Sequence, residues 1–171
     1  MLVPDISLMA TSVASATDNR PAAWEAPRMS DVIFREYTIS SDPARIDAAR
    51  VHHWLSTDAY WALGRSREKQ DAAIAGSLNF GMYDGSSGGQ VAYARVVTDH
   101  ATFAWLCDVY VDPAVRGKGL GTALVAAVRD HLEPHGLRRI LLATADAHGV
   151  YEKIGFRTLE TPGKWMALGL Q

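Results

Sequence analysis

The pattern of apolar and polar residues divides the chain near residue 29. Residues 1–28 are rich in Ala, Ser, Thr and Pro and show no steady period, which predicts a loosely ordered N-terminal extension. From residue 32 the pattern becomes regular, and the β-branched and aromatic residues of 32–39 predict a first strand. We therefore expect a single folded domain over residues 29–171.

Helical spacing follows this strand. A capping side chain ahead of a proline predicts a first helix over residues 42–55. The aromatic, irregular residues 57–65 predict a loop, after which Ser66 is a candidate cap for a second helix with Ile74 and Leu78 on one face. The first part of the domain is therefore expected to contain one strand and two helices.

Strands and helices mix through the rest of the domain. A strongly amphipathic helix is expected over residues 120–132, a short one over residues 147–154, and an alternating tail over residues 156–168. This mixture predicts one α/β (α+β) layered domain. Four further strands are expected, over residues 80–83, 90–98, 103–111 and 139–144.

Length and composition fit one domain with one core, since the chain has 171 residues, 48% of them hydrophobic and 21% charged. A net charge of −2 gives no electrostatic argument for a nucleic-acid partner. No apolar stretch reaches the roughly 18 residues of a membrane span, and residues 1–9 lack a secretory pattern. We therefore expect a cytoplasmic protein without nucleic-acid or membrane partners.

The cysteine and histidine content does not predict a metal site. Cys107 is the single cysteine and stands in an apolar run, which favours a small buried hydrophobe over a catalytic thiol. His52 and His53 are adjacent, so they would point to different sides of a helix. Because no third ligand has suitable spacing, we expect no bound metal.

The most informative stretch is the glycine loop, defined as residues 116–122 (Arg-Gly-Lys-Gly-Leu-Gly-Thr). A buried strand runs into this loop and an amphipathic helix follows, so unpaired amides at the helix N-terminus form an anion site. The glycines let the backbone approach a ligand closely, while Arg116 and Lys118 add positive charge. The loop favours a phosphate or pyrophosphate ligand, the alternative being a glycine turn needed only for packing.

Two other phosphate-binding loops do not match this stretch. A nucleoside-triphosphate loop needs Gly-x-x-x-x-Gly-Lys-Ser/Thr, whereas Lys118 lies between two glycines. The dinucleotide fingerprint needs G-x-G-x-x-G, whereas the spacing here is G-x-G-x-G. Neither of these ligands is therefore expected.

The glycine loop and a second stretch together match a known family. Residues 116–121 resemble the Q/R-x-x-G-x-G/A signature of the GCN5-related N-acetyltransferases (GNAT family), and residues 108–113 look like that family's fourth strand. Residues 147–156 resemble its second motif, which ends in Tyr-x-x-x-Gly-Phe. Two motifs in the family's order are more specific than either alone, and the resemblance covers about residues 32–168.

The resemblance implies a GNAT fold, which is a twisted mixed, mostly antiparallel sheet of six to seven strands flanked by about four helices. The sheet is expected to splay where the family's fourth and fifth strands part, with acetyl-CoA as the co-substrate in the gap. The implied activity is direct acetyl transfer to a primary amine of a small molecule or peptide. The alternatives are a non-catalytic acyl-CoA-binding sensor or interaction module, and a protein N-acetyltransferase, for which no acidic run offers a docking groove.

The resemblance also implies which residues bind the co-substrate. The amide of Val109 or Val111 would polarise the thioester carbonyl, which gains negative charge during attack, and the Val111 backbone would pair with the pantetheine arm. Thr144 stands where many relatives carry an asparagine that contacts pantetheine, and His148 is placed in the same site. The diphosphate would lie on the amides of Arg116, Gly117, Lys118, Gly119, Leu120, Gly121 and Thr122.

Acid and base candidates come from the two motifs. Tyr151 matches the family's tyrosine that protonates the departing thiolate, and its alternative is a core tyrosine on a short helix. Asp108, on the strand leading to the acyl site, is the candidate base, with a structural carboxylate as the alternative. Asp99, Asp58 and His148 are its rivals.

The segment between the first two helices lines the acceptor site in this family. Tyr60 and Trp61 would enclose a cation by stacking, whereas Arg65, Arg67 and Arg95 indicate an acceptor that carries a carboxylate or phosphate. Ser66 completes the set. These cues conflict, so the identity of the amine acceptor stays open, and a homodimer is expected by analogy alone.

Overall fold

The structure is a computed structural model that describes residues 29–169. The extension expected over residues 1–28 lies outside the described residues. Within the described part of the chain, strands and helices follow one another in mixed order. The elements are β1 (Val32–Phe34), β2 (Tyr37–Ser40), α1 (Ala48–Thr57), α2 (Arg67–Ala75), β3 (Leu78–Asp84), β4 (Gln90–Thr98), β5 (Phe103–Val111), α3 (Leu120–Leu132), β6 (Arg139–Leu141) and α4 (His148–Glu152).

The strands form one six-stranded sheet in the order β1-β2-β3-β4-β5-β6. Neighbouring strands are antiparallel except β5 and β6, which are parallel because α3 carries the chain back between them. β6 pairs with β5 only from Phe103 to Trp105, so the rest of β5, up to Val111, has no partner strand on that side. β5 contains most of the residues that resemble the family's fourth strand, so β5 and β6 are the two strands expected to part. The predicted mixed sheet and its splay are confirmed.

β5 lies between two hydrophobic layers. On one face of the sheet, α3 contributes Leu120, Leu124 and Val128 to a buried cluster that includes Ala104 and Leu106 of β5. These α3 residues recur at the spacing of an amphipathic helix, which is why the sequence pattern predicted this helix. The packing holds α3 along β5 and places the N-terminus of α3 near the C-terminal end of β5.

The opposite face of the sheet is covered by α1 and α2. Val51, Trp54 and Leu55 of α1 pack in a second buried cluster with Tyr93 and Tyr110. The rings of Trp54 and Tyr110 stack, with their centroids 5.3 Å apart. Because β5 supplies side chains to both layers, its C-terminal end is fixed from both faces.

Two element boundaries near the start of the domain differ from the prediction. The strand expected over residues 32–39 is broken into the β1–β2 hairpin by a turn at Arg35, whose φ is +55°. The first helix begins later than expected, because Asp42 caps only a short 3-10 turn. Asp47 then caps α1 by accepting the Arg50 amide at 2.9 Å.

Three further boundaries differ later in the chain. α2 ends at Ala75, so Leu78 begins β3 instead of lying on a helix face. β6 ends at Leu141, where the chain turns towards α4. The tail over residues 156–168 forms no strand and contains a 3-10 turn at Pro162–Lys164, since proline cannot donate to a strand ladder.

Candidate active site

The glycine loop joins the end of β5 to the start of α3. Asp112 caps a 3-10 turn, Pro113–Val115, by accepting the Ala114 amide at 2.9 Å. Gly117 and Gly119 then have φ values of +82° and +79°, a region that residues with a Cβ rarely adopt. The path of the backbone therefore requires glycine at these two positions.

The amides of this loop are open. In residues 117–122, no backbone N–H donates to a protein acceptor of the described chain. The first amide of α3 with a partner is that of Ala123, which donates to Gly119 O at 3.1 Å. The Arg116 amide differs from the predicted set, because it donates to Pro113 O at 3.4 Å within the 3-10 turn. Consecutive open amides with a helix dipole behind them form an anion site.

The Arg116 side chain turns back from the loop. Its Nε donates to Val111 O at 2.9 Å and its Nη2 to Asp58 Oδ2 at 3.0 Å. The Tyr110 hydroxyl donates to the same carboxylate oxygen at 2.6 Å, and the hydrogen bonds from Tyr110 and Arg116 lower the pKa of Asp58. Arg116 therefore fastens the loop to the C-terminal end of α1, and Asp58 is occupied as its ion-pair partner.

Two other cations stand at the loop. Lys118 Nζ donates to the Tyr37 hydroxyl at 3.3 Å, and Arg35 Nη1 donates to Lys118 O at 3.2 Å. A groove of about 900 Å³ opens beside them, runs along α3 and reaches Lys153. Arg35 was not predicted as a site residue, because it lies 83 positions from Lys118 and no spacing pattern connects the two.

The free edge of β5 presents amides to the splay. Asp112 donates its amide to Val91 O of β4 at 2.9 Å. Since successive residues of a strand direct their backbone groups to opposite edges, the amides of Val109 and Val111 point towards the splay. β6 has already ended at this level, so both amides face the gap, whereas Val111 O already accepts from Arg116.

Tyr151 lies half-buried on α4, where Phe156 packs edge-on at a centroid distance of 5.9 Å. Gly155, with a φ of +102°, turns the chain after α4 so that Phe156 reaches this position. Burial raises the pKa of the Tyr151 phenol, with smaller contributions from Tyr60 and Asp146. Tyr151 therefore keeps its proton at neutral pH.

Tyr60 links the α1–α2 loop to the loop that follows β6. Its hydroxyl accepts the Ala145 amide at 3.2 Å. In the same loop the Thr144 hydroxyl accepts the Ala147 amide at 3.1 Å, and His148 begins α4 with an exposed side chain. These contacts bring three predicted site residues close together in the loops beside the α4 tyrosine.

Asp108 lies where the register of β5 against β4 shifts, with a φ of +52°. Its carboxylate accepts from Arg65 through both oxygens, at 2.8 and 3.1 Å, and from Arg95 Nε at 2.8 Å. Burial raises the pKa of Asp108, but the hydrogen bonds and charges of the two arginines outweigh burial and lower it. This geometry supports the structural alternative for Asp108, because a carboxylate with a low pKa is a weak base.

Two other titratable candidates are accounted for by their surroundings. Asp99 accepts from the Thr102 hydroxyl and from the amides of Ala101, Thr102 and Phe103, and these bonds hold its pKa well below its usual range. Burial raises the pKa of the Cys107 thiol to about 11, so the thiol stays protonated. Asp99 shapes the β4–β5 turn, and Cys107 has no nucleophilic thiolate at neutral pH.

The remaining predicted acceptor residues occupy the α1–α2 loop and the start of α2. The rings of Tyr60 and Trp61 meet edge-on, with centroids 4.9 Å apart, and both side chains are exposed. Ser66 accepts the Lys69 amide at 3.3 Å, as expected for a helix cap. The loop therefore offers aromatic surface, while the Ser66 hydroxyl is engaged at the start of α2.

Two absences hold for residues 29–169. No group of three or more His, Cys, Asp or Glu side chains is placed to hold a metal ion. His52 instead bonds through Nε2 with Arg65 O at 2.9 Å. In the same range, no helix is long and apolar enough to cross a membrane.

Comparison with known proteins agrees with this geometry. Residues 27–156 match the sequence model of the Acetyltransferase (GNAT) family. A solved structure of a GNAT-family protein from Xanthomonas campestris pv. campestris is similar, with a TM-score of 0.73 and 42% identity, covering 78% of this chain and 93% of that one. The chain therefore belongs to the GNAT acetyltransferase family.

Two relatives support acyltransferase as the class of enzyme. A Gibberella zeae protein, named as a candidate acetyltransferase, is 30% identical over 137 residues, covering 69% of this chain and 77% of that protein. A mycothiol acetyltransferase from Saccharomonospora viridis is 29% identical over 175 residues, covering 90% of this chain and 54% of that protein. The chain thus spans about half the length of the second relative.

Proposed function

We propose that this protein is an acetyl-CoA-dependent N-acetyltransferase that moves an acetyl group directly to a primary amine of a small molecule or peptide. The observation that carries the proposal is the row of open amides in residues 117–122, beside the splay of the sheet. Folded chains pair most of their backbone donors, and a helix N-terminus left open favours an anionic ligand. The diphosphate of coenzyme A has the charge that these donors require.

The surroundings of the loop suit the rest of the co-substrate. The pantetheine arm would extend along the free edge of β5, where the amides of Val109 and Val111 face the gap. Arg35, Lys118 and Lys153 line the groove beside the loop and would attract the phosphate-bearing adenosine end. This placement brings the thioester to the part of the splay that lies towards α4.

The chemical step needs one oxyanion donor and one acid. The neutral amine attacks the thioester carbonyl carbon, a C–N bond forms, and the carbonyl oxygen becomes an oxyanion that accepts from the amide of Val109 or Val111. The C–S bond then breaks, and Tyr151 gives its phenolic proton to the departing thiolate. The amine loses its proton to solvent, and solvent returns a proton to Tyr151, so the products are an amide and the free thiol.

Asp108 holds the strand in place in this scheme and does not act as the base. Its two arginine partners stabilise the carboxylate, which leaves little driving force for proton abstraction. The shift of register at Asp108 comes immediately before Val109, so the ion pairs hold the strand where its amides turn to the gap. The proposal takes residues 29–171 as one acetyltransferase domain and invokes no metal.

The test is turnover of acetyl-CoA with a broad panel of primary amines, followed by the release of free thiol. Tyr151→Phe keeps the ring packed against Phe156 and removes the acid, so kcat is expected to fall by about 10²- to 10³-fold while CoA affinity stays within about twofold. Tyr83→Phe is the matched control, because this buried hydroxyl has no hydrogen-bond partner in the described chain. A folded protein that binds CoA but acetylates no amine of the panel would instead be an acyl-CoA sensor.

A further inference from the structure

A surplus of positive charge lies beneath the α1–α2 loop. Arg65 and Arg95 share one carboxylate, that of Asp108, so the three side chains carry a net charge of +1. The side chain of Asp108 is 2% exposed, and those of Arg65 and Arg95 are 18% and 14% exposed. A cation so largely removed from water is costly unless an anion accompanies it.

The guanidinium groups of Arg65 and Arg95 have more N–H donors than the described chain has acceptors for them. Arg65 donates to Gln70 Oε1 and twice to Asp108, and Arg95 donates to Asp108 and to Ser77 Oγ. Each guanidinium has about five N–H donors, so both retain N–H groups without an acceptor in the described chain. The buried amide nitrogen of Gln70 also lacks a partner there, which adds a neutral donor next to Arg65.

The arrangement is held rigidly. Arg65 is fixed through its own carbonyl, which bonds with His52 on α1, and through Gln70 on α2. Arg95 is fixed on β4 by Ser77 and by the carboxylate on β5. Donors that are already oriented lose little side-chain entropy when an anion arrives, which is the condition for selective binding.

The position of the cluster relates it to the acceptor. Arg65 ends the α1–α2 loop that carries Tyr60 and Trp61, and Asp108 directly precedes Val109, a proposed donor to the thioester carbonyl. Trp61 of this loop and Trp105 of β5 both have exposed side chains. The ion pair between Arg65 and Asp108 therefore connects the loop that carries Tyr60 and Trp61 to the part of β5 that continues into Val109.

We propose that Arg65 and Arg95 bind an oxyanion, a carboxylate or a phosphate, on the amine acceptor, so that the enzyme prefers anionic amines over neutral ones. This inference rests on the proposed acetyltransferase function. A guanidinium pair with a net positive charge binds an oxyanion through charge-assisted hydrogen bonds, and it repels a second cation. The aromatic rings of the loop then pack against the body of the acceptor.

The test compares acceptors that differ in one group. We would measure kcat/KM for 4-aminobutyrate against 4-amino-1-butanol, and for 2-aminoethyl phosphate against ethanolamine. The anionic member of at least one pair is expected to be better by about tenfold or more, and the pair that shows the preference identifies the oxyanion. Arg95→Gln is expected to reduce that preference to within about twofold, mainly by raising KM for the anionic acceptor.

The control is Arg67→Gln on α2. The sequence grouped Arg67 with Arg65 and Arg95, but in the structure Arg67 is exposed and pairs with Asp71 instead of Asp108. Its substitution therefore removes the same charge nearby without touching the cluster, and the preference should persist. Arg95→Lys, which keeps the charge and loses the fork, should give an intermediate preference and shows whether geometry matters. Circular dichroism and CoA affinity confirm that each variant is folded.

Binding separates this inference from the proposed function. Calorimetric titration of both members of each pair into the CoA-loaded protein needs no turnover, so it gives a result even if no acceptor is acetylated. Tighter binding of an anionic member that is lost in Arg95→Gln supports the oxyanion site. Equal binding and equal kcat/KM for both members of both pairs, or a preference that survives Arg95→Gln, would overturn it.

Discussion

The two ends of α3 are built in opposite ways. At the N-terminus, the amides of residues 117–122 have no protein acceptor among the described residues, and Gly119 supplies no side-chain cap. At the C-terminus, the helix continues into a 3-10 turn, Glu133–His135, and Gly136 closes it with a φ of +63°. Within the described chain, the N-terminal end therefore leaves its backbone N–H donors open to a ligand, whereas the C-terminal end, where a helix leaves carbonyl acceptors, continues into a turn.

Side chains reinforce the difference between the two ends. At the C-terminus, His131 lies 5.5 Å from Phe80 and 6.0 Å from His135 between ring centroids, and His100 lies 5.5 Å from His135. Burial lowers the pKa values of His131 and His100, and the neighbouring histidines lower them further. Both ends contain a glycine with positive φ, so a glycine alone does not make a helix end a binding site. The N-terminal end differs in its row of backbone N–H groups without partners in the described chain, at the end of the helix where the dipole favours an anion.

Exchanging one glycine at each end tests this comparison with the largest expected effect. Gly119→Ala and Gly136→Ala each force a Cβ onto a residue with positive φ, where neither Cβ would meet an atom within 4 Å. Each is expected to lower the free energy of unfolding by about 1–2 kcal/mol. Gly119→Ala should also weaken CoA binding by about 100-fold, because the strained loop moves its amides, whereas Gly136→Ala should leave it within about twofold.

Denaturant unfolding and calorimetry with CoA give both quantities. Equal losses of CoA affinity in the two glycine variants would mean that the N-terminal end has no special role.

A substitution at Asp108, on the strand β5 that leads into the glycine loop, gives the next largest expected effect. Asp108→Asn removes the carboxylate that two arginines share, so the free energy of unfolding should fall by about 2 kcal/mol. Because Asp108 is not the base in this account, kcat should fall by less than about tenfold. A kcat loss of about 10²- to 10⁴-fold in a variant of normal stability would restore Asp108 as the general base.

The contact between Arg116 and Asp58, which connects the glycine loop to the C-terminal end of α1, predicts a smaller effect on binding of acetyl-CoA. Arg116→Gln removes the bonds to Val111 O and Asp58 and leaves the open amides in place. KM for acetyl-CoA should rise by about threefold, since the pair is exposed and its loss only loosens the loop. Arg129→Gln, which removes an exposed arginine of α3 outside the glycine loop, is the control. An unchanged KM in Arg116→Gln would show that the loop holds its shape without this contact.

The histidines at the C-terminal end of α3 predict that the stability of the protein depends modestly on pH. The folded-state pKa of His131 lies below its unfolded value of about 6.5, so the unfolded chain takes up more protons as the pH falls below that value. The free energy of unfolding should therefore be highest above about pH 7 and fall towards pH 5. Thermal unfolding at both pH values, repeated with His131→Gln, should show a shallower fall in the variant. An identical slope would show that His131 does not contribute.

The anion site at the N-terminus of α3 was predictable from the sequence because it is made of the backbone N–H groups of consecutive residues. A strand, alternate glycines and an amphipathic helix in residues 103–132 fix the direction of the amides, whatever the side chains do. The required glycines, Gly117 and Gly119, stand where the pattern placed them. Local signals of this kind also predicted the helix cap at Ser66.

Side-chain roles were less predictable because their partners are distant in sequence. Asp108 finds Arg95 at 13 positions and Arg65 at 43, and Arg116 finds Asp58 at 58. No spacing pattern connects such residues, so the sequence left Asp108 open between base and structural carboxylate. The division of residues 32–39 into a hairpin was missed for a similar reason, since both halves have the same strand-like composition.

The central claim is that the amides of residues 117–122 bind the diphosphate of coenzyme A. The most direct test is a titration of ¹⁵N-labelled protein with CoA, followed through its backbone amide resonances. The account predicts large shifts and slowed hydrogen exchange for Gly117, Gly119 and Gly121, with Gly136 unchanged at the other end of α3. Saturation with CoA that leaves the three loop resonances in place, or no binding by the folded protein at millimolar CoA, would contradict it.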